Sequence, residues 1–265
     1  MNALEQFLAR AMSETAWKMT PPRAYGPFHL IFTFVGILLC ICIAYRLRNV
    51  SERGNKIVLV GTGAFLMLTE VYKQIFYYFV IGQGTYQWNE FPFQLCSVPM
   101  YLCVIAPLLP QGKVQKGMYH FMTTFNLLGG MMAFIEPSGI THSYWTMTLH
   151  AYIWHMFLIF IGFYLIASGR FASTAKDYRS AATVFIVLCA VAFCINLAAW
   201  DVSNGKINMF FVGPRNSSLV VFKWIAKTFG WYVSTLLYIP TVCLGAYIVF
   251  LPVHLWAKRK KCAAA

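Results

Sequence analysis

Apolar residues along this chain fall into long, nearly unbroken runs rather than into alternating or heptad patterns. A helix crossing the hydrocarbon core of a bilayer needs ~20 predominantly apolar residues. Seven segments meet that length: 28–46, 57–81, 92–109, 117–136, 147–168, 181–200 and 230–254. The first, sixth and seventh are almost pure hydrocarbon, whereas the second to fifth carry polar groups. The pattern predicts an all-α, polytopic membrane protein, a bundle of seven transmembrane helices spanning residues 28–256. An N-terminal interfacial segment, 1–27, precedes the bundle and a basic C-terminal tail, 257–265, follows it. Within the first segment Leu4, Phe7, Leu8 and Met12 share one helical face, which predicts an interfacial helix ending before Pro21-Pro22. Glu5 and Glu14 interrupt this stretch, so it does not read as a cleavable signal. In the long connection 201–229, residues 219–227 predict a short helix on the surface.

Composition agrees with a lipid environment. Of 265 residues 59% are hydrophobic and 11% charged, which excludes an ordinary soluble enzyme. The net charge of +13 would point to nucleic acid in a soluble protein, but the basic residues lie in short segments between apolar runs, with no basic stripe interleaved with aromatics. No nucleic-acid partner is expected. Thirteen Lys and Arg fall in 46–56, 113–116, 170–179 and 258–261, against seven in the alternate connections. This asymmetry predicts a multi-pass protein of the cell membrane with its N-terminus outside and its C-terminus cytoplasmic. Seven of the eight cysteines lie inside apolar runs and no CxxC pair occurs, so disulfide-scaffold, thiol-relay and zinc-knuckle chemistry all lack their spacing.

Ionisable side chains inside a span are costly and face the bundle interior or a hydrated cavity, so they locate function first. Glu70, Gln74 and Tyr77 have i, i+4, i+7 spacing on one face of the second span, and Lys73 is placed to pair with Glu70. The third span opens Phe91-Pro92-Phe93-Gln94-Leu95-Cys96-Ser97-Val98-Pro99, where Pro99 frees a carbonyl near the cysteine that a neighbour or water must satisfy. The fourth contains His120 and Asn126, and the fifth His150 and His155. The two histidines of the fifth span are ~140° apart on a helix, which disfavours a shared metal ion. Neither a metal nor a cofactor is expected. By helical rise Cys96 lies ~6 Å and His155 ~12 Å inside the outer face, with Glu70 and Gln74 about 10–17 Å below it. Asn126 and Asn196 reach the same zone. The polar groups thus converge on one cavity in the outer half of the membrane. A cysteine and a histidine at one depth suggest a Cys–His nucleophile pair, with Asn, Gln or carboxylate groups for support.

The residues around this pair resemble a known family. Glu70-x-x-Lys73-Gln74 followed by Phe91-Pro92-Phe93-Gln94-Leu95-Cys96-Ser97-Val98 is similar to the bacterial YwaF membrane proteins, in which a Leu-Pro-Leu-His-Leu-Cys-Ser-like box opens the third span. Asn126-Leu127-Leu128-Gly129-Gly130, Glu136-Pro137, Tyr152-Ile153-Trp154-His155-Met156 and Asn208-Met209-Phe210-Phe211-Val212-Gly213-Pro214 continue the similarity. The same order of boxes resembles transmembrane protein 164, a distant eukaryotic relative described as a phospholipid acyltransferase with a cysteine acyl intermediate. There a Pro-Cys-His box stands at Leu95-Cys96-Ser97 and a Tyr-Ile-Gln-His box at Tyr152-Ile153-Trp154-His155. The resemblance implies Cys96 as nucleophile and His155 as its base. Two positions depart from it: Gln94 replaces the histidine of the bacterial box, and Ser97 the histidine after the eukaryotic cysteine.

The sequence therefore leads to an intramembrane lipid acyltransferase or lipid-ester hydrolase acting on membrane phospholipids through an acyl-cysteine. Glu70, Gln74, Asn126 and Asn208 are the candidates for orienting His155 or binding the head group. A transporter or receptor for a small polar ligand, with Glu70 and Lys73 in mid-membrane, and a non-enzymatic assembly protein are the alternatives.

Overall fold

Helix starts in this chain carry their own signals. In the computed structural model, which describes residues 2–264, the first helix, α1 (Ala3–Glu14), begins at a capping box in which Asn2 and Glu5 bond each other's backbone N–H. Helix α2 (Pro27–Arg46) begins with proline at its first position, and α3 (Glu52–Phe76) behind the Ser51 hydroxyl, which accepts from the Gly54 N–H. A π turn, Tyr77–Ile81, extends α3. Next come α4 (Val98–Ile105), α5 (Lys113–Phe121), α6 (Leu127–Ile135) and α7 (Trp145–Ala167). Helix α8 (Ala175–Ala198) follows a second capping box, Thr174 with Asp177; α9 (Val220–Phe229) and α10 (Trp231–Ala264) complete the chain. Apart from an isolated bridge between Lys18 and Tyr144, the described residues form helices, turns and loops.

Among the described residues five helices are long and apolar enough to cross a bilayer: Pro27–Arg46, Glu52–Ile81, Trp145–Ala167, Ala175–Ala198 and Trp231–Lys260. They correspond to the first, second, fifth, sixth and seventh apolar runs. The third and fourth runs, expected as plain spanning helices, are built differently. In the third, residues 91–97 are not helical, α4 starts only at Val98 with Pro99 in its first turn, and a 3₁₀ turn, Ala106–Leu108, ends it. Pro92 and Pro99 each remove a backbone donor, which delays the helix. In the fourth, a π turn, Met122–Asn126, separates α5 from α6. The widened turn loosens the regular ladder, and side chains take up its carbonyls: Thr123 and Thr124 donate to the His120 oxygen at 3.0 and 2.7 Å, and Asn126 to that of Met122 at 3.1 Å. The expected surface helix is present as α9, with Val221 and Trp224 exposed.

Helix α7 is the axis of the molecule. Of its most apolar 18-residue window 61% is buried, against 17–28% for the other four long helices, whose outward faces carry Phe34, Leu38, Leu68 and Ile248 toward lipid. It packs on α2, α3, α6 and the second π turn. Small residues permit the close crossings: a Cβ at Gly63 of α3 would come within 2.9 Å of the Met100 carbonyl in α4.

At one end of the bundle the chain before α2 closes over the helices. Met12 of α1 packs with Phe76, Tyr77 and Met147. Residues 15–19 then run beside the start of α7, where Met19 N–H donates to Ser143 O at 3.0 Å and Trp145 N–H to Trp17 O at 2.8 Å.

Candidate functional site

A cavity of about 140 Å³ opens at that same end. Helix α3 contributes Glu70, Lys73 and Tyr77; the stretch before α4 contributes Glu90, Cys96 and Ser97; the α6–α7 connection contributes Gly139 and His142; and α7 contributes Met147, His150, Ala151, Trp154 and His155. The α7 residues follow 3- and 4-residue spacing, so they form one broad helical face. His150 and His155 stand at its two edges, with Met147, Ala151 and Trp154 between them. Their ~140° separation therefore places both against one cavity that is as wide as the face.

Cys96 sits on an elbow of non-helical backbone held by side chains. Gln94 donates to Asn208 O at 3.0 Å and accepts from the Phe210 N–H at 3.0 Å. Asn196 grips the same 208–212 turn from α8, donating to Met209 O at 3.0 Å and accepting from the Met209 N–H at 2.6 Å. Between these clamps Phe210 and Phe211 both adopt φ 54°, a conformation that bulky residues hold only when their surroundings enforce it. The Tyr101 hydroxyl donates to Pro92 O at 2.8 Å, and the Trp154 indole N–H to Cys96 O at 3.0 Å. That last bond gives a donor to a carbonyl of the non-helical stretch. It also ties the cysteine to the residue beside His155.

Each cavity histidine of α7 gives one nitrogen to a backbone carbonyl. His155 Nδ1 lies 2.7 Å from Ala151 O, and His150 Nε2 lies 3.1 Å from Thr69 O. A carbonyl only accepts, so those nitrogens carry the protons and leave Nε2 of His155 and Nδ1 of His150 as bases. No hydrogen bond joins Cys96 to His155 among the described residues; they share the cavity wall. In the connecting loop, burial pushes His142 below the ordinary histidine pKa and Lys73 adds to the effect, so its ring is neutral at pH 7.

Opposite the histidines lies a buried ion cluster. Lys73 Nζ is 3.0 Å from Glu70 and 3.7 Å from Glu90, and Glu70 is only 4% exposed. Gln74 donates to Glu70 at 2.7 Å and to Glu90 O at 2.6 Å, fastening the 82–90 loop to α3. Removing one partner from such a cluster leaves a buried charge without compensation.

The structure brings Cys96, His155 and Glu70 to one cavity. Gln74 supports it by holding Glu70. Asn126 and Asn208 are elsewhere: Asn126 donates to Met122 O within its own π turn and to Leu158 O across to α7, and Asn208 donates to Arg215 O and Asn216 O inside its own loop. Glu90, Ser97, His142 and Trp154 are cavity residues that the reading of polar positions in spans did not single out. Glu90 and His142 lie outside the apolar runs, and only folding of the loops brings them in. Among the described residues no group of three or more His, Cys, Asp or Glu is placed to hold a metal ion.

The sequence model of the TMEM164 family matches residues 24–251. No curated protein and no solved structure matches the chain.

Proposed function

This chain belongs to the TMEM164 family, and on that premise we propose that it is an intramembrane lipid acyltransferase or lipid-ester hydrolase working through an acyl-cysteine at Cys96. The observation that carries the reading is the shared cavity wall: Cys96 and His155 line one cavity, and the Ala151 carbonyl holds His155 in the tautomer whose Nε2 is a base. In the first half-reaction His155 takes the thiol proton and the thiolate attacks the ester carbonyl of a phospholipid. The imidazolium returns the proton to the departing lysolipid oxygen, leaving a thioester. In the second, an acceptor hydroxyl of a lysolipid, or water, gives its proton to His155 and attacks the thioester, and the proton passes to the Cys96 sulfur. Glu70 and Lys73 supply polar contacts for the head group, with Gln74 as support. The Gln94 position, a histidine in similar bacterial proteins, here positions the elbow rather than moving protons.

The finer topology is part of this proposal. The 91–97 stretch with α4, and α5 joined through its π turn to α6, make the third and fourth of seven crossings, with the N-terminus outside the cell membrane and the C-terminus cytoplasmic.

Purified protein incubated with an acyl-chain activity probe tests the chemistry. Label on Cys96 is expected, lost in Cys96→Ala and reduced by roughly 10²–10⁴-fold in His155→Ala. Label retained in Cys96→Ala or unaffected in His155→Ala overturns the mechanism.

The ion cluster favours a second reading, a carrier or receptor for a small polar ligand. Solute uptake by proteoliposomes that depends on Glu70 but not on Cys96 would replace the acyl-transfer reading with this one.

A further inference from the structure

We infer that residues 2–19 are the water seal of the Cys96 cavity and decide whether the acyl group passes to a lipid hydroxyl or to water. The inference deepens the acyl-cysteine reading and rests on it for the second half-reaction. Its geometric part stands independently.

The cavity residues Tyr77 and Met147 come from the end of α3 and the start of α7. Behind both stands Met12 of α1, 9% exposed and packed in one buried cluster with them and Phe76. Two further attachments join the segment to the same two helices. The Thr15 hydroxyl lies 2.6 Å from that of Tyr72 in α3, and Thr146 of α7 donates to Thr15 O at 2.9 Å. The backbone pairing of Trp17 and Met19 with Trp145 and Ser143 continues the strap along the α7 entrance. The segment thus spans the gap between the two helices whose ends frame the cavity.

The apolar face of α1 is covered only toward its end. Leu4 is 64% and Phe7 67% exposed, while Met12 is buried, and the Asn2–Glu5 box orders the helix from its first turn. A capped helix whose first turns bare apolar side chains and whose last turn is anchored suits the boundary where hydrocarbon meets water. That is the level at which water would reach the thioester. The family match spans residues 24–251, so α1 lies outside the matched residues.

Chemically the seal acts on acceptor choice. The thioester carbon exchanges its C–S bond for a C–O bond in either case, with the hydroxyl proton going through His155 to sulfur. Water yields a free fatty acid and a lysolipid hydroxyl yields a diacyl lipid. Excluding water from a site suppresses the hydrolytic branch.

The test uses full-length protein in detergent micelles, a variant lacking residues 2–14, and the point variant Met12→Glu should the deletion fail to fold. A charged, membrane-impermeant thiol reagent is applied, and modification of Cys96 is followed at the peptide level, with Cys262 in the exposed tail as internal standard. Placing a carboxylate in the apolar cluster is expected to raise the Cys96 modification rate at least about tenfold relative to Cys262, because opening of a local unit scales with its lost stability. In parallel, labelled phospholipid and lysolipid are supplied, and the ratio of fatty acid to diacyl product is expected to rise by a similar factor. An unchanged Cys96 modification rate overturns the seal. A raised rate with an unchanged product ratio overturns its role in acceptor choice. Absence of any Cys96 thioester in the unmodified protein marks failure of the acyl-cysteine reading instead, and the modification rates still decide the wall.

Discussion

Gln94 shows how one side chain can hold the backbone beside a cavity residue in place. Its amide replaces two backbone partners, for Asn208 O and the Phe210 N–H. Gln94→Ala leaves both groups unsatisfied in the interior, at about 1–3 kcal/mol each. Thermal unfolding in detergent is expected to show a clear loss of stability, and acyl labelling of Cys96 to fall with it. Gln94→Glu, which keeps an acceptor but loses the donor, is expected to lie between. Trp154→Phe preserves the ring and deletes the N–H that binds Cys96 O; labelling of Cys96 is expected to slow by about tenfold with only a modest drop in melting temperature, since a displaced nucleophile loses near-attack geometry. At this scale the sequence was informative wherever a polar side chain interrupted hydrocarbon. Cys96, His155 and Glu70 were legible for that reason. Trp154 was not, because an indole in an apolar run looks like packing until its N–H is seen to meet a specific carbonyl. Asn126 and Asn208 stood out by the same polarity, yet their amides bond backbone away from the cavity, and nothing local separates those two uses.

Helices α3 and α4 meet where Gly63 faces the Val104 and Cys103 side chains and the Met100 carbonyl, all within 3.1 Å of where a Cβ would stand. Gly63→Leu forces that crossing apart, and a loss of about 1–3 kcal/mol is expected from unfolding curves. The displacement would carry Cys96 with it, because α4 begins directly after the elbow. The long helices were legible because hydrophobic run length measures the thickness of a bilayer. Run length does not report whether the backbone stays α-helical. The prolines at 92 and 99 and the hydroxyl pair Thr123 and Thr124 turned the third and fourth runs into an elbow and a π turn. Their effect depends on which carbonyl has an outside donor. The α1 strap was legible only as an amphipathic face; its attachment to Tyr72 and Thr146 is a tertiary fact.

For the molecule as a whole, the proposed seven-crossing topology makes a direct prediction about sidedness. Cys262 lies in the exposed tail. An impermeant thiol reagent applied to intact cells is expected to leave Cys262 unmodified until the membrane is permeabilised; modification in intact cells would reverse the orientation. The asymmetry of basic residues supplied that reading, since charged side chains stay on the side where translocation left them.

The central position of α7 has a consequence for biogenesis. This helix carries five of the cavity residues, and most of its surface is covered by its neighbours. A nascent chain that has emerged only as far as residue 144 holds Cys96 and His142 but lacks His155, the base of the proposed mechanism. Once Trp145–Ala167 enters the bilayer, its two cavity histidines and its indole face lipid until the helix docks. Docking then removes them from lipid and creates the cavity in one event. On the proposed mechanism, reactivity at Cys96 switches on only at this step, late in assembly, and half-built chains do not attack the lipid around them.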